Sequence, residues 1–180
     1  HTSGLTYGFF SDTEVDKRYR NANILNPLGT LSGMPKKLGK LPLLYQPGTR
    51  FQYSVSSDLL GALVEVASGQ KFDEFLQTRI FEPLDLRDTA FHVLKEKLDR
   101  FSANYSPSDD GGLQVNDVPS KSLYRFKPRL LSGGGGLTST ARDYSRLCQM
   151  LLNKGELEGK RLLKAKTVES MTKNQLPDQA

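Results

Sequence analysis

Ser170-Met171-Thr172-Lys173 has the Ser-x-x-Lys spacing, in which a lysine one helical turn past a serine can take its proton and free it to attack a carbonyl. Such a nucleophile also needs an oxyanion hole on a rigid frame, and nothing after Lys173 supplies one. A pattern with two fixed positions recurs by chance, so Ser170 is a weak candidate for the nucleophile. Tyr53-Ser54-Val55 is better placed: the tyrosine ends an extended stretch just before a helix start, where rigid structure on both sides can hold a phenol in position. Gly133 to Gly136 precede another helix and could cradle a phosphate, but no Gly-Lys-Ser/Thr follows, and the run reads as a permissive turn. His1 and His92 have no cysteine or carboxylate at ligand spacing, so no metal site is expected and no cofactor is implied.

The elements that must position Tyr53 follow from apolar periodicity. Leu59, Leu60, Leu63, Val64 and Ala67 recur at helical spacing, with Ser54 or Ser56 to cap the start and Gly69 to stop it, which predicts a helix over 56–68. Phe72, Phe75, Leu76 and Ile80 predict a second over 72–82, halted by Pro83. A third, over 141–153, has a capping-box-like Thr140 and Asp143, then Tyr144, Leu147, Cys148 and Leu151 on one stripe, which makes Cys148 a core residue. Residues 32–41 predict a short helix before Pro42, and 12–24 a partly irregular one. The segment 101–129, rich in Pro, Asp and Gly, reads as a loop with a short hairpin, and β-structure is expected only around 100–130.

Composition bounds the rest. A chain of 180 residues suits one ordinary domain, yet only 37% of it is hydrophobic and it has no tryptophan, so some faces are expected to meet a partner surface. The net charge of +5 is spread without a basic stripe interleaved with aromatics, which argues against a nucleic-acid partner. No apolar run approaches the ~20 residues of a membrane span. The lone Cys148 forms no internal disulfide, and the compartment is left open. The chain begins at His1 without an initiator methionine and looks trimmed.

Three segments carry a resemblance. His1-Thr2-Ser3-Gly4-Leu5-Thr6-Tyr7-Gly8-Phe9, Gln46-Pro47-Gly48-Thr49-Arg50-Phe51-Gln52-Tyr53-Ser54 and Gly135-Gly136-Leu137-Thr138-Ser139-Thr140-Ala141-Arg142-Asp143 together resemble the serine β-lactamase-related family of class C β-lactamases, DD-peptidases and esterases. Order and spacing agree through Pro83–Thr89 to Thr167–Thr172, over essentially the whole chain. The resemblance implies a mainly α structure with a short β element: the helical domain of the β-lactamase/penicillin-binding-protein-like fold, without most of the α/β domain. Residues 1–130 would be the helical-domain part, and 131–180 the Gly-rich loop and return helices. It also implies that the Ser-x-x-Lys nucleophile lies upstream of His1 and the oxyanion strand downstream of residue 180.

Tyr53 matches the tyrosine of the family's Tyr-x-Asn motif, which faces the nucleophilic serine and its lysine. A phenol with a pKa near ~10 is a poor base at neutral pH, but a nearby ammonium favours the phenolate and lets it exchange a proton with the serine. Ser54 and Val55 are the implied substrate-binding neighbours. Val55 stands where class C enzymes have asparagine, so the amide that would hold an acylamido carbonyl is missing, and an esterase is expected before a β-lactamase. The expected partner is a small ester or β-lactam-like substrate. The chain alone is expected to be inactive and to self-associate through an exposed interdomain face. Two other readings are a catalytically dead family member used as a binding module and a freestanding helical interaction domain.

Overall fold

The first helix, α1 (Glu14–Ala22), is set by its cap. In the computed structural model, which describes residues 1–176, Thr13 accepts from the Asp16 N–H and the Asp16 side chain reaches back to Thr13, a complete capping box. Asn23 ends the helix in the left-handed region at φ 45°. The helix is regular where the sequence predicts partial irregularity. Its cap replaces a long apolar stripe, and among its apolar residues Tyr19 is fully buried. A 3-10 turn at Leu31–Gly33 then runs into α2 (Met34–Leu38), which ends at Gly39 before Pro42.

The helix α3 (Ser56–Ser68) follows the Tyr53 stretch with the predicted bounds and stops at Gly69, φ 71°. Its inward face differs from the predicted stripe. Asp58, Gly61 and Ala62 are buried, while Leu60, Leu63 and Val66 are exposed. Close packing explains it: a Cβ on Gly61 would stand 3.1 Å from Leu31 and 3.3 Å from Phe72, so only small residues fit inside and the larger ones face outward.

α4 (Phe72–Leu76) widens into a π-helical turn at Gln77–Phe81, with Glu82 N–H donating to Gln77 O at 2.9 Å just before Pro83. After a 3-10 stretch at Lys95–Arg100, β1 (Asn104–Pro107) and β2 (Leu113–Asp117) form the expected antiparallel hairpin, with an irregularity between Asn104 and Tyr105.

α5 (Ala141–Leu152) is capped by the Thr140 hydroxyl. The predicted capping box is only half made, because the Asp143 carboxylate turns inward to accept from Asp88 N–H at 2.7 Å and Thr89 Oγ1 at 3.0 Å. That turn rotates the buried stripe to Asp143 and Met150, with Leu147 and Leu151 packed beside them. Tyr144 and Cys148 are exposed, so Cys148 is not the core residue that the periodicity predicts.

A second hairpin, β3 (Glu156–Leu157) with β4 (Lys160–Arg161), lies outside the expected β region. Its two-residue turn places Glu158 (φ 49°) and Gly159 (φ 76°) in the left-handed region, and two-residue strands leave no alternation to read. α6 (Ala165–Met171) follows.

The architecture is thus mostly helical with short strands. Leu5, Tyr19, Leu31, Met34, Val55, Ala62 and Leu131 belong to the larger core cluster beneath α3, and Phe81, Leu84, Leu86, Met150 and Leu157 form a second beneath α5.

Candidate active site

Tyr53 reaches the surface, 47% exposed, because the backbone on both sides is pinned. The N-terminal segment lies along the approach to α3: Leu44 N–H donates to Gly4 O, Gly48 N–H to Thr2 O and Gln52 N–H to His1 O, at 2.7, 2.7 and 2.8 Å. Gly4 permits this contact, since its φ is 78° and a Cβ there would fall 2.1 Å from Tyr45 O. On the far side, Ser54 N–H donates to His1 Nδ1 at 3.3 Å. The Ser54 and Ser56 hydroxyls pair at 2.7 Å, and Ser56 pairs with Ser3 at 2.7 Å. Two of the segments that carried the family resemblance are therefore laid side by side, with Tyr53 at their junction.

The phenol stands in an aromatic setting. Its ring lies 4.7 Å from His1, 5.3 Å from Tyr7 and 5.9 Å from Phe10, centroid to centroid, and Tyr7 stacks on Phe9 at 5.1 Å. Behind it, the Asp58 carboxylate holds the stretch that leads into the third segment: Oδ1 accepts from Ser132 Oγ at 2.5 Å and from Gly134 N–H at 3.2 Å. The tetraglycine is tuned for close approach. None of its four residues has a positive φ, and Cβ atoms would come within 2.4 Å of Ser57 O at Gly133, 2.8 Å of Asp58 Oδ2 at Gly134 and 2.9 Å of Phe91 at Gly136. Burial pushes the Tyr7 hydroxyl up to about 12, helped by the Asp58 carboxylate and by Tyr53 through charge and hydrogen bonding.

Of the residues predicted from sequence, only Tyr53 presents its side chain outward. Ser54 and Val55 are buried at 0% and 1% exposure, so neither offers a side chain to a substrate in this structure; Val55 is the N-cap of α3 and a core residue. Ser54 Oγ lies 3.5 Å from His1 Nδ1, a serine beside a histidine, but its burial and its bond to Ser56 keep a carbonyl from reaching it. Ser170 sits on the exposed end of α6, with Lys173 beyond the helix. Among the described residues no three His, Cys, Asp or Glu side chains gather into a metal site, and no helix is long and apolar enough to cross a membrane. Tyr7 and Asp58 were missed by sequence reasoning. The available signal was an acidic residue in the first turn of an otherwise apolar helix, which reads equally well as a dipole partner.

An exposed phenol on a rigid frame can donate or accept a proton. The sequence as a whole supplies the context, because residues 1–179 match the Beta-lactamase family, and the chain belongs to it. Protein Rv1367c of Mycobacterium tuberculosis is 32% identical over 99% of this chain and 43% of its own length. Lovastatin esterase of Penicillium rubens is 30% identical over 100% of this chain and 44% of its own. Among solved structures, a mutant of simvastatin synthase (LovD) from Aspergillus terreus superposes with a TM-score of 0.76 at 28% identity, over 98% of this chain and 39% of that one. The chain thus spans less than half the length of these relatives.

Proposed function

We propose that this chain is the helical part of a serine hydrolase that acts on esters through an acyl-enzyme, with Tyr53 as its proton-transfer group. The observation that carries this reading is a half-exposed phenol held at the mouth of α3 where two family-matching segments meet. In the reaction, a serine supplied by residues outside this sequence attacks the ester carbonyl while its proton passes to Tyr53 and on to the leaving alcohol. Tyr53 then draws a proton from water as the water oxygen attacks the acyl carbon, and returns that proton to the serine oxygen as the bond to it breaks and the acid leaves. Ester chemistry is favoured over β-lactams because Val55 carries no amide and lies in the core. Two of the relatives named above, an esterase and a synthase of a statin, support the same choice.

In this reading residues 1–130 form the helical-domain part, and 131–180 carry the Gly-rich loop and the return to the rest of the enzyme. Leu60, Leu63 and Val66 line an apolar groove with Leu5, Pro35 and Pro47. That groove is the face on which the remainder of the fold packs, and when bare it promotes self-association.

The test is turnover of p-nitrophenyl butyrate by the longer protein carrying this segment. Tyr53→Phe keeps the fold and lowers kcat by about 10²-fold, the usual loss for an acid–base group. Unchanged turnover in a folded variant removes Tyr53 from the mechanism. The 180-residue chain by itself is inactive and takes no fluorophosphonate label; a stoichiometric adduct on Ser170, lost in Ser170→Ala, would show that the nucleophile lies within the sequence after all.

A further inference from the structure

Asp58 sits in the first turn of α3 at 1% exposure, and a carboxylate so placed is costly unless its oxygens are met. Oδ1 is met by Ser132 and Gly134, whereas Oδ2 has no hydrogen-bond partner among the described residues. Oδ2 and the Tyr7 hydroxyl flank one point: they stand 2.8 and 2.9 Å from where a Cβ on Gly134 would be. On its other side Tyr7 faces Tyr53, ring centroids 5.3 Å apart. The Tyr7 hydroxyl makes no hydrogen bond to Oδ2 in this structure; it has a single proton to give and can also accept, so it can serve one of these two neighbours at a time.

We infer that Tyr7 is a positioning residue for Tyr53, its hydroxyl turning with the protonation state of Tyr53 and Asp58 Oδ2 receiving it in the alternative direction. When Tyr53 holds its proton, it donates to Tyr7 and Tyr7 donates to Asp58 Oδ2. When Tyr53 has given its proton away, Tyr7 turns and donates to the phenolate oxygen, and Oδ2 is left unpaired. No proton changes owner among the three residues; only O–H directions reverse.

The Tyr53 oxygen therefore keeps a hydrogen-bond partner in both halves of an acid–base cycle, which holds its ring in one place. The charged and titratable groups facing the pair are Asp58 from α3 and, on the open side of Tyr53, His1 at 4.7 Å. The upward shift of Tyr7 fits, since it keeps this donor protonated at neutral pH. A carboxylate serving only to anchor the glycine loop would need Oδ1 alone and would be indifferent to Tyr7. The inference rests on the reading of Tyr53 as the proton-transfer group.

The experiment uses the 180-residue chain with tyrosines carbon-13 labelled at Cζ, the Tyr7 signal being assigned by its loss in Tyr7→Phe. With a midpoint at about 12, Tyr7 is about one-tenth ionised at pH 11. Asp58→Asn retains an oxygen for Ser132 and Gly134 but removes the charge, and Tyr53→Phe removes one half-exposed hydroxyl. In each, the ionised fraction of Tyr7 at pH 11 rises to about one-third or more, a midpoint shift of about 0.7 units or more.

An unchanged fraction in both folded variants overturns the inference. So does a rise in Asp58→Asn alone, which would make Tyr7 merely a buried phenol beside a charge. Should Asp58→Asn fail to fold, Tyr53→Phe decides. Loss of ester turnover in Tyr53→Phe with no change at Tyr7 would leave Tyr53 catalytic and remove Tyr7 and Asp58 from the site. Unaltered turnover with both shifts present would sink the catalytic reading but not the shared proton.

Discussion

Asp16→Ala is expected to destabilise the chain by about 3 kcal/mol, the sum of about 1–3 for a buried donor left unsatisfied and about 1 for the bonds by which Asp16 completes the capping box of Thr13. Asp16 is 0% exposed, and its carboxylate gathers the loop that carries Tyr7. Oδ1 accepts from Thr6 Oγ1 at 2.8 Å, and Oδ2 from Thr13 Oγ1 at 2.7 Å, Thr13 N–H at 3.3 Å and the Ser11 hydroxyl. Ser11 and Thr13 lie at the surface and rehydrate when the acceptor is removed. Thr6 is fully buried and does not, which is the larger part of the estimate. For a chain of this size that is a fall of about 6–12 °C in Tm, read by calorimetry or far-UV circular dichroism. Asp16→Asn keeps an oxygen for Thr6 and loses about half as much. Because Thr6 and Asp16 share the bond, Asp16→Ala with Thr6→Val falls short of the sum of the two single losses. A Tm within 2 °C of the parent for Asp16→Ala would refute the claim that this carboxylate holds the loop. Additive losses would refute the shared bond.

Gly134→Ala drives a Cβ to 2.8 Å from Asp58 Oδ2 and 2.9 Å from the Tyr7 hydroxyl, at a cost of about 1–3 kcal/mol, whereas Gly135→Ala meets nothing within 4 Å and leaves Tm unchanged or slightly raised; equal melting of the two would contradict the close approach. Val55→Asn places an amide in the core without partners, so it lowers stability by about 1–3 kcal/mol before any change in substrate preference can be read, and a variant as stable as the parent would show that the amide finds the surface. Acid weakens the fold with a defined sign. The Arg100 and Lys97 bonds hold Asp88 down to about 2, and Asp16 is also depressed, its hydroxyl and N–H donors outweighing the opposing effect of burial. Both groups stabilise above the unfolded value near ~3.9 and lose that contribution as pH falls below it, Asp88 by about pH 2. Tm is therefore flat from about pH 5 upward and drops below 4, less steeply in Asp16→Asn; a Tm falling equally in the parent and this variant would exclude Asp16 as a source.

What could be read from the sequence divides by the kind of force involved. The bounds of α3 and α5 were legible because apolar spacing and a stop signal, Gly69 or the turn before Gly155, are local. Which face each helix buries was not, because one polar residue in each first turn overrode the apolar stripe. Asp143 turns in to serve Asp88 and Thr89, carrying Met150 inward and Cys148 out. Asp58 turns in to serve Ser132 and Gly134, leaving Leu60 and Leu63 at the surface. Both partners are more than fifty residues away in sequence, so no local window contains the reason. The tetraglycine shows the same limit from the other side: its composition suggests a turn, yet Gly133, Gly134 and Gly136 are required by Ser57, Asp58 and Phe91 pressing against them, while Gly135 stands open. The place of Tyr53 just ahead of a helix was legible, because the helix start is signalled locally. Its neighbour Tyr7 was not, since what distinguishes it from any tyrosine near a loop is a carboxylate oxygen that lacks a partner and a second phenol within reach. A buried acid in the first turn of a helix whose apolar residues face outward is therefore the feature to look for next in such a sequence: it marks the side on which a distant loop must come home.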